Sequence, residues 1–332
     1  MKAIVFERFG EPREVLQVRD IPEPEPGPGE VRVRMRLSPI NPSDLMTVRG
    51  VYGRLPSLPA TPGFEGVGVV DAVGSGWLAM LRGLKPGRRV AVINARGGNW
   101  QEQVVIPARH AIPVADDLPD DQVAAFFVNP ATALVLTEYV LKVPAGAWLL
   151  QTAAGSALGH MIIRLGKYNG FRTINLVRRK ELAGELKKLG ADEVLSTTED
   201  KVVAEVQRIT GGAMVSYAID CVGGPSVADI VQCLAPQGRL LVYGTLSGET
   251  APLDTRSLMS GQRSIEGFWL SEWVKQQGIL RMLWLFRKIA SLMRAGVLTT
   301  PVAATYSYDQ LPAAVDHVER AARGGKILLN LG

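Results

Sequence analysis

The chain has 332 residues, a length that predicts about two domains at roughly 150 residues each. Hydrophobic residues make up 47% and charged residues 21%, which excludes a disordered or fibrous chain, and no run reaches the ~18 apolar residues of a membrane span. The net charge of +5, from 37 Lys and Arg against 32 Asp and Glu, is scattered without a basic run, so a nucleic-acid platform is a weak reading and an anionic small molecule, such as a phosphate-bearing cofactor or thioester, fits equally well.

The first predicted strand, Lys2-Ala-Ile-Val-Phe6, begins directly after Met1. That leaves no room for a signal or transit peptide, and a cytoplasmic protein without membrane partners is expected. Pro22-Glu-Pro-Glu-Pro-Gly-Pro-Gly29 reads as a stiff loop between two strands. In Val31-Arg-Val-Arg-Met-Arg-Leu37 apolar residues alternate with Arg at period two, the pattern of a half-buried antiparallel strand with Arg32, Arg34 and Arg36 on a solvated face. Gly66–Gly74 and Arg88–Ile93 are further strands, joined through the turn Lys85-Pro-Gly87. Residues 1 to about 120 thus form a small, mostly β domain.

From about residue 120 the pattern changes to short apolar runs alternating with helical stretches. The predicted order is strand Ala147–Leu150, helix Leu158–Asn169, strand Thr173–Val177, helix Glu181–Leu189 and strand Glu193–Leu195. After a further helix come the strands Tyr217–Asp220, Arg239–Tyr243 and Ser264–Phe268. Alternation of this kind needs crossover helices and gives a parallel, doubly wound sheet over residues 121–270. From 271 to 332 the chain adds an amphipathic helix, Gly278–Ala295, then a strand, a helix and a final strand, Lys326–Leu329.

The most informative local feature is Ala153-Ala-Gly-Ser-Ala-Leu-Gly159, between a strand and a helix. A dinucleotide-binding turn needs small residues there so that backbone can approach a pyrophosphate at the helix N-terminus. Ala154 and Ser156 stand where the first two glycines of Gly-x-Gly-x-x-Gly would be, and Gly159 is retained. After the second strand of this region come Arg178, Arg179 and Lys180, with no acid to bind a ribose hydroxyl. Guanidinium forks suit a 2′-phosphate, so NADPH is expected over NADH.

Cys221 and Cys233 cannot form a disulfide framework and imply a reducing compartment; with His110, His160 and His317 they provide no metal-ligand spacing. Cys221 reads as a small buried residue, His160 as a packing or capping residue, and His317 as solvated beside Glu319 and Arg320.

These features together resemble the medium-chain dehydrogenase/reductase superfamily. Gly63-Phe-Glu-Gly-Val-Gly-Val-Val70 is similar to its Gly-His-Glu signature, with Phe64 in place of the zinc-binding histidine. Ser38-Pro-Ile-Asn-Pro-Ser-Asp44 lies where the zinc enzymes carry a ligand Cys, so the resemblance is to the zinc-independent branch, with no metal. It implies an α/β fold: a GroES-like β-rich catalytic domain (1–120, completed by 271–332) and a Rossmann domain (121–270). Ile40–Asp44 with Gly50-Val-Tyr-Gly53, Val128-Asn-Pro-Ala-Thr132 and Gly267-Phe-Trp-Leu-Ser-Glu-Trp273 look most like 2-enoyl thioester reductases of mitochondrial type; quinone oxidoreductases share the first more loosely.

The resemblance implies Tyr52 as the catalytic residue, and Asn129 and Thr132 near the nicotinamide. It implies Gly155, Ser156, Ala157 and Leu158 at the pyrophosphate, and Arg178, Arg179 and Lys180 at the adenosine phosphate. Tyr243, Gly244, Thr245 and Leu246 would form a cofactor-contacting loop; Phe268, Trp269 and Leu270 would flank the nicotinamide, and Lys326 would complete the cofactor cleft. The implied reaction is hydride transfer from NADPH to the β-carbon of an enoyl thioester, with Tyr52 donating to the developing enolate. A phenol with an ordinary pKa of about 10 is neutral and able to donate at pH 7. Two alternatives stand beside it: an NADPH:quinone or other enone reductase, and an NADPH-binding protein with a structural or RNA-binding role. A homodimer paired through a sheet edge near Ile265–Trp269 is also implied.

Overall fold

The computed structural model describes residues 1–320 and 324–332. The chain divides into two compact units, one of Met1–Val128, Arg287–Arg294 and Thr299–Gly332, the other of Asn129–Phe286 and Ala295–Leu298.

The first unit is built on a mostly antiparallel sheet. Its neighbours run Val302–Tyr306, Lys326–Asn330, Glu30–Pro39, Glu65–Val73, Arg89–Ile93 and Ala111–Pro113, and Gln103–Pro107 also pairs with Glu30–Pro39. Period-two patterning decides which face is buried: Val31, Val33 and Met35 are fully enclosed with Ile106 and Ile327. The alternating arginines diverge from a uniformly solvated face. Arg34 is open, but Arg32 is only 15% exposed, held by Asp71 at 2.8 Å and Glu25 at 3.0 Å. Two strands approach so closely at Gly68 that a Cβ there would lie 2.4 Å from the Arg34 carbonyl oxygen, which explains a glycine inside an apolar strand. A short helix, Trp77–Leu81, stands before the predicted Lys85–Gly87 turn, and the sequence reading did not anticipate it.

The second unit has six parallel strands, in chain order Trp148–Gln151, Arg172–Val177, Glu193–Ser196, Val215–Asp220, Leu234–Val242 and Ser264–Gly267. Across the sheet they lie third, second, first, fourth, fifth, sixth, the doubly wound dinucleotide order. Leu149, Leu150, Ile174, Ala218, Ile219 and Leu240 are fully buried, as strands covered on both faces require. The helix expected over Glu181–Leu189 is a 3-10 turn, Lys180–Leu182, followed by the helix Ala183–Leu189. The fifth strand starts five residues before the expected Arg239.

Candidate functional site

In the second unit the loops that leave the parallel strands gather at the sheet's carboxyl edge. The first carries the turn 152–156 into helix Ala157–Asn169. Ser156 caps that helix, its Oγ accepting the Gly159 N–H at 3.1 Å. Ala154 N–H donates to the Leu176 carbonyl at 3.1 Å, which ties the turn to the second strand. Gly159 is required by packing: a Cβ there would lie 2.4 Å from the Ala154 carbonyl oxygen. Gly155 also has little space, its Cβ position being 2.8 Å from Leu182 Cδ1. The turn therefore has the close backbone and the helix N-terminus that suit a pyrophosphate.

Beneath the turn lies a polar pair that the sequence reading missed. Gln151 and Asn175 are fully buried in adjacent strands, and Gln151 Nε2 donates to Asn175 Oδ1 at 2.7 Å and to the Gly159 carbonyl at 3.1 Å. Asn175 Nδ2 donates in turn to Thr173 Oγ1 at 2.9 Å and to the Glu193 carbonyl at 2.8 Å. Their signal was two amides inside apolar runs, where a buried polar group demands partners.

Arg178, Arg179 and Lys180 follow the second strand at the same edge, all exposed. The Arg178 carbonyl accepts the Thr198 hydroxyl at 2.9 Å, which fixes its backbone while the residue stays exposed. Lys180 Nζ is engaged with Asp200 at 3.3 Å. Tyr243 N–H donates to the Asp220 carbonyl at 2.8 Å, and Leu246 N–H to that of Cys221 at 3.0 Å; Gly244 packs against Cys221. Thr245 and Leu246 are exposed. Phe268 N–H donates to the Val242 carbonyl at 2.8 Å, and Trp269 leads into helix Leu270–Lys275. The structure thus brings residues 155–158, 178–180, 243–246 and 268–270 to one edge. Cys221 is buried there, its thiol pushed up to about 11 by burial, so it holds no thiolate. His160 is buried, its pKa lowered by that burial.

The first unit holds Tyr52, Phe64 and Lys326. The Tyr52 and Phe64 rings lie 5.4 Å apart at 40°. Behind them is a fully enclosed polar cluster: Asn41, Asp44, Glu65 and Lys326, each at most 2% exposed. Asn41 Nδ2 donates to Glu65 Oε1 at 3.2 Å, and Lys326 Nζ donates to Asn41 Oδ1. Glu65 Oε2 accepts the N–H groups of Phe127 at 3.0 Å and Val128 at 2.8 Å. Burial raises both carboxyls, and Lys326 opposes the rise. In the second unit, Asn129 and Thr132 stand on the helix Val128–Leu134, where Thr132 is buried. The position of His317 departs from the solvated reading: its Nδ1 meets the Tyr306 hydroxyl at 2.9 Å.

A doubly wound sheet of this order in a chain that also carries a GroES-like unit defines a dinucleotide-dependent oxidoreductase. The chain belongs to the medium-chain dehydrogenase/reductase superfamily: residues 27–116 match the alcohol dehydrogenase GroES-like domain and residues 157–284 the zinc-binding dehydrogenase domain. A mitochondrial enoyl-[acyl-carrier-protein] reductase of Rattus norvegicus is 34% identical over 305 residues, 91% of this chain and 81% of that protein. A crystal structure from Bacillus thuringiensis, assigned as an NADPH:quinone reductase, matches with a TM-score of 0.92 at 34% identity, covering 99% of this chain and 98% of the other. Escherichia coli quinone oxidoreductase complexed with NADPH matches with a TM-score of 0.90 at 25% identity, covering 99% and 100%.

The zinc in the family description does not fit the residues present. Phe64 stands before Glu65, and the Lys326 ammonium rests on Asn41. Among the described residues no three His, Cys, Asp or Glu side chains form a group able to hold a metal.

Proposed function

We propose that the chain reduces the C=C bond of an enoyl thioester, on coenzyme A or a carrier protein, with NADPH and without zinc. The observation that carries this reading is the Tyr52–Phe64 ring pair, a phenol held on an aromatic support where a zinc enzyme would keep a metal ligand. When bound, NADPH supplies the hydride, which goes to the β-carbon while the nicotinamide is oxidised. The chain's own groups bind, orient and stabilise.

In this reading Arg178 and Arg179 grip the 2′-phosphate with guanidinium forks, and Lys180 adds charge from its pairing with Asp200. The turn at Gly155, Ser156, Ala157 and Leu158 takes the pyrophosphate. Asn129, Thr132 and Phe268–Leu270 flank the nicotinamide, and Tyr243–Leu246 form a cofactor-contacting loop. Tyr52 donates its hydroxyl hydrogen bond to the thioester oxygen as negative charge grows there, and the α-carbon of the enolate then takes a proton from water. Lys326 serves this reading as the buried counter-ion of Asp44 and Glu65 rather than as a direct cofactor ligand. A homodimer in the cytoplasm completes it.

A quinone or other enone is the second acceptor class, favoured by the structural likeness to quinone reductases. NADPH oxidation with crotonyl-CoA and with 1,4-benzoquinone, both under a chelator, separates the two. The expected result is thioester turnover that survives chelation and falls about 100-fold in Tyr52→Phe. Turnover with quinone alone, or an undiminished Tyr52→Phe variant, overturns the enoyl reductase reading.

A further inference from the structure

We infer that Asp44 is a positioning residue for Tyr52, holding the phenol through its own helix on one side and through Phe64 on the other. The inference rests on the catalytic reading of Tyr52. Asp44 lies in the first turn of the helix Pro42–Val48, where it closes a capping box with Asn41: the Asn41 N–H donates to Asp44 Oδ2 at 2.7 Å. Four residues C-terminal to that turn's start, the Met46 carbonyl accepts the N–H groups of Val51 at 3.0 Å and Tyr52 at 3.2 Å. The backbone of Tyr52 is therefore referenced to the helix that Asp44 caps.

The other carboxylate oxygen, Oδ1, accepts the Phe64 N–H at 3.1 Å. Phe64 carries the ring against which the Tyr52 ring packs at a tilt. Its approach is rigid: Gly63 has φ of +104°, and a Cβ there would lie 2.4 Å from Trp100 Cδ1. The Pro62 carbonyl is bonded to the Trp100 N–H at 3.0 Å. One enclosed carboxylate thus sets both the backbone and the ring support of the phenol.

The double acceptance is strongest in the ionised form. Protonation of Asp44 removes the charge that strengthens both bonds and leaves the hydroxyl oxygen a poorer acceptor, so the hold on the two N–H groups weakens. Burial pushes this carboxyl up to about 7; the Asn41 N–H opposes, Glu65 adds to the rise, and Lys326 and the Phe64 N–H oppose it. Glu65, from strand Glu65–Val73, and Lys326, from strand Lys326–Asn330, are the charged groups that bear on it. Rising pH through neutrality therefore tightens the hold on Tyr52.

The test measures kcat and the NADPH KM of the full-length enzyme on crotonyl-CoA from about pH 5.5 to 9, together with the Tyr52 signal in ε-13C-tyrosine NMR. Wild type is expected to gain turnover through neutrality while its Tyr52 resonance shifts. Asp44→Asn, which offers a donor where an acceptor is needed, is expected to stay flat at the low-pH rate, roughly 10- to 100-fold below the wild-type plateau, with the NADPH KM unchanged. If Asp44→Asn does not fold, Phe64→Leu carries the test: it should lower kcat alone, with Phe64→Tyr restoring it. Full turnover at pH 8 in Asp44→Asn or in Phe64→Leu overturns the inference. An undiminished Tyr52→Phe variant instead overturns the catalytic reading, and the NMR shift then still reports whether Asp44 positions the ring.

Discussion

At the scale of single residues, the proposed cofactor choice rests on two exposed guanidiniums. Arg178 and Arg179 stand at the end of the second parallel strand, where no acid occupies the position that would bind a ribose hydroxyl. Each charge-assisted hydrogen bond to a phosphate is worth about 1.5–3 kcal/mol. Replacing both with Ala should raise the NADPH KM roughly 100-fold or more, leave the NADH KM within about twofold, and change kcat little. Steady-state kinetics with the two cofactors checks this; equal loss for both would move the phosphate site elsewhere. Lys180 is a weaker contributor because Asp200 and Glu199 compete for its ammonium. The charges of the first unit read differently. Asp44, Glu65 and Lys326 lie at positions 44, 65 and 326, and no local pattern announces that they meet. Glu65 alone had a signal, as the one acid opening an apolar, glycine-rich strand; a charge there must be paired if it is buried.

At the scale of elements, the proposed pyrophosphate site is the turn before helix Ala157–Asn169, where closeness of the backbone would decide binding. Gly159→Ala puts a methyl carbon against the Ala154 carbonyl oxygen, and backbone rather than a flexible side chain must yield. A loss of about 1–3 kcal/mol of stability is expected, with NADPH binding weakened further because the turn moves. Thermal unfolding with and without NADPH checks both parts: the ligand-induced rise in Tm should shrink along with the Tm itself. A variant that keeps the full rise would mean that the turn does not form the pyrophosphate site. This region was the most legible part of the sequence, because small residues, a strand before and a periodic helix after are all local signals. Strand and helix types in the second unit were legible for the same reason. Their ends were less so: Leu234–Val242 began early because Leu234 and Ala235 are buried against the fourth strand's side of the core, which the composition of Pro236 and Gln237 masks. The helix Trp77–Leu81 escaped because its apolar Trp77, Met80 and Leu81 face outward, the reverse of the pattern that core burial writes into a sequence.

At the scale of the whole molecule, the parallel sheet ends on Ser264–Gly267, an edge strand. The proposed homodimer would cover it with the same strand of a second copy, an isologous pairing that satisfies the exposed backbone groups. The register tells which groups those are. Phe268 N–H donates inward to Val242, so in a parallel strand Glu266 and Ser264 share that direction, while Ile265 and Gly267 point their N–H groups away from the sheet. Ile265→Pro therefore removes an outward donor without cutting a bond inside the unit. Each chain carries +5, so association belongs at about 150 mM salt, where the charge is screened over roughly 8 Å. Sedimentation there should give a dimer for wild type and a monomer for Ile265→Pro, with NADPH binding retained in both. A wild-type monomer at micromolar concentration would remove the edge pairing. A variant that remains dimeric would move the interface to another surface, because proline cannot supply the missing donor.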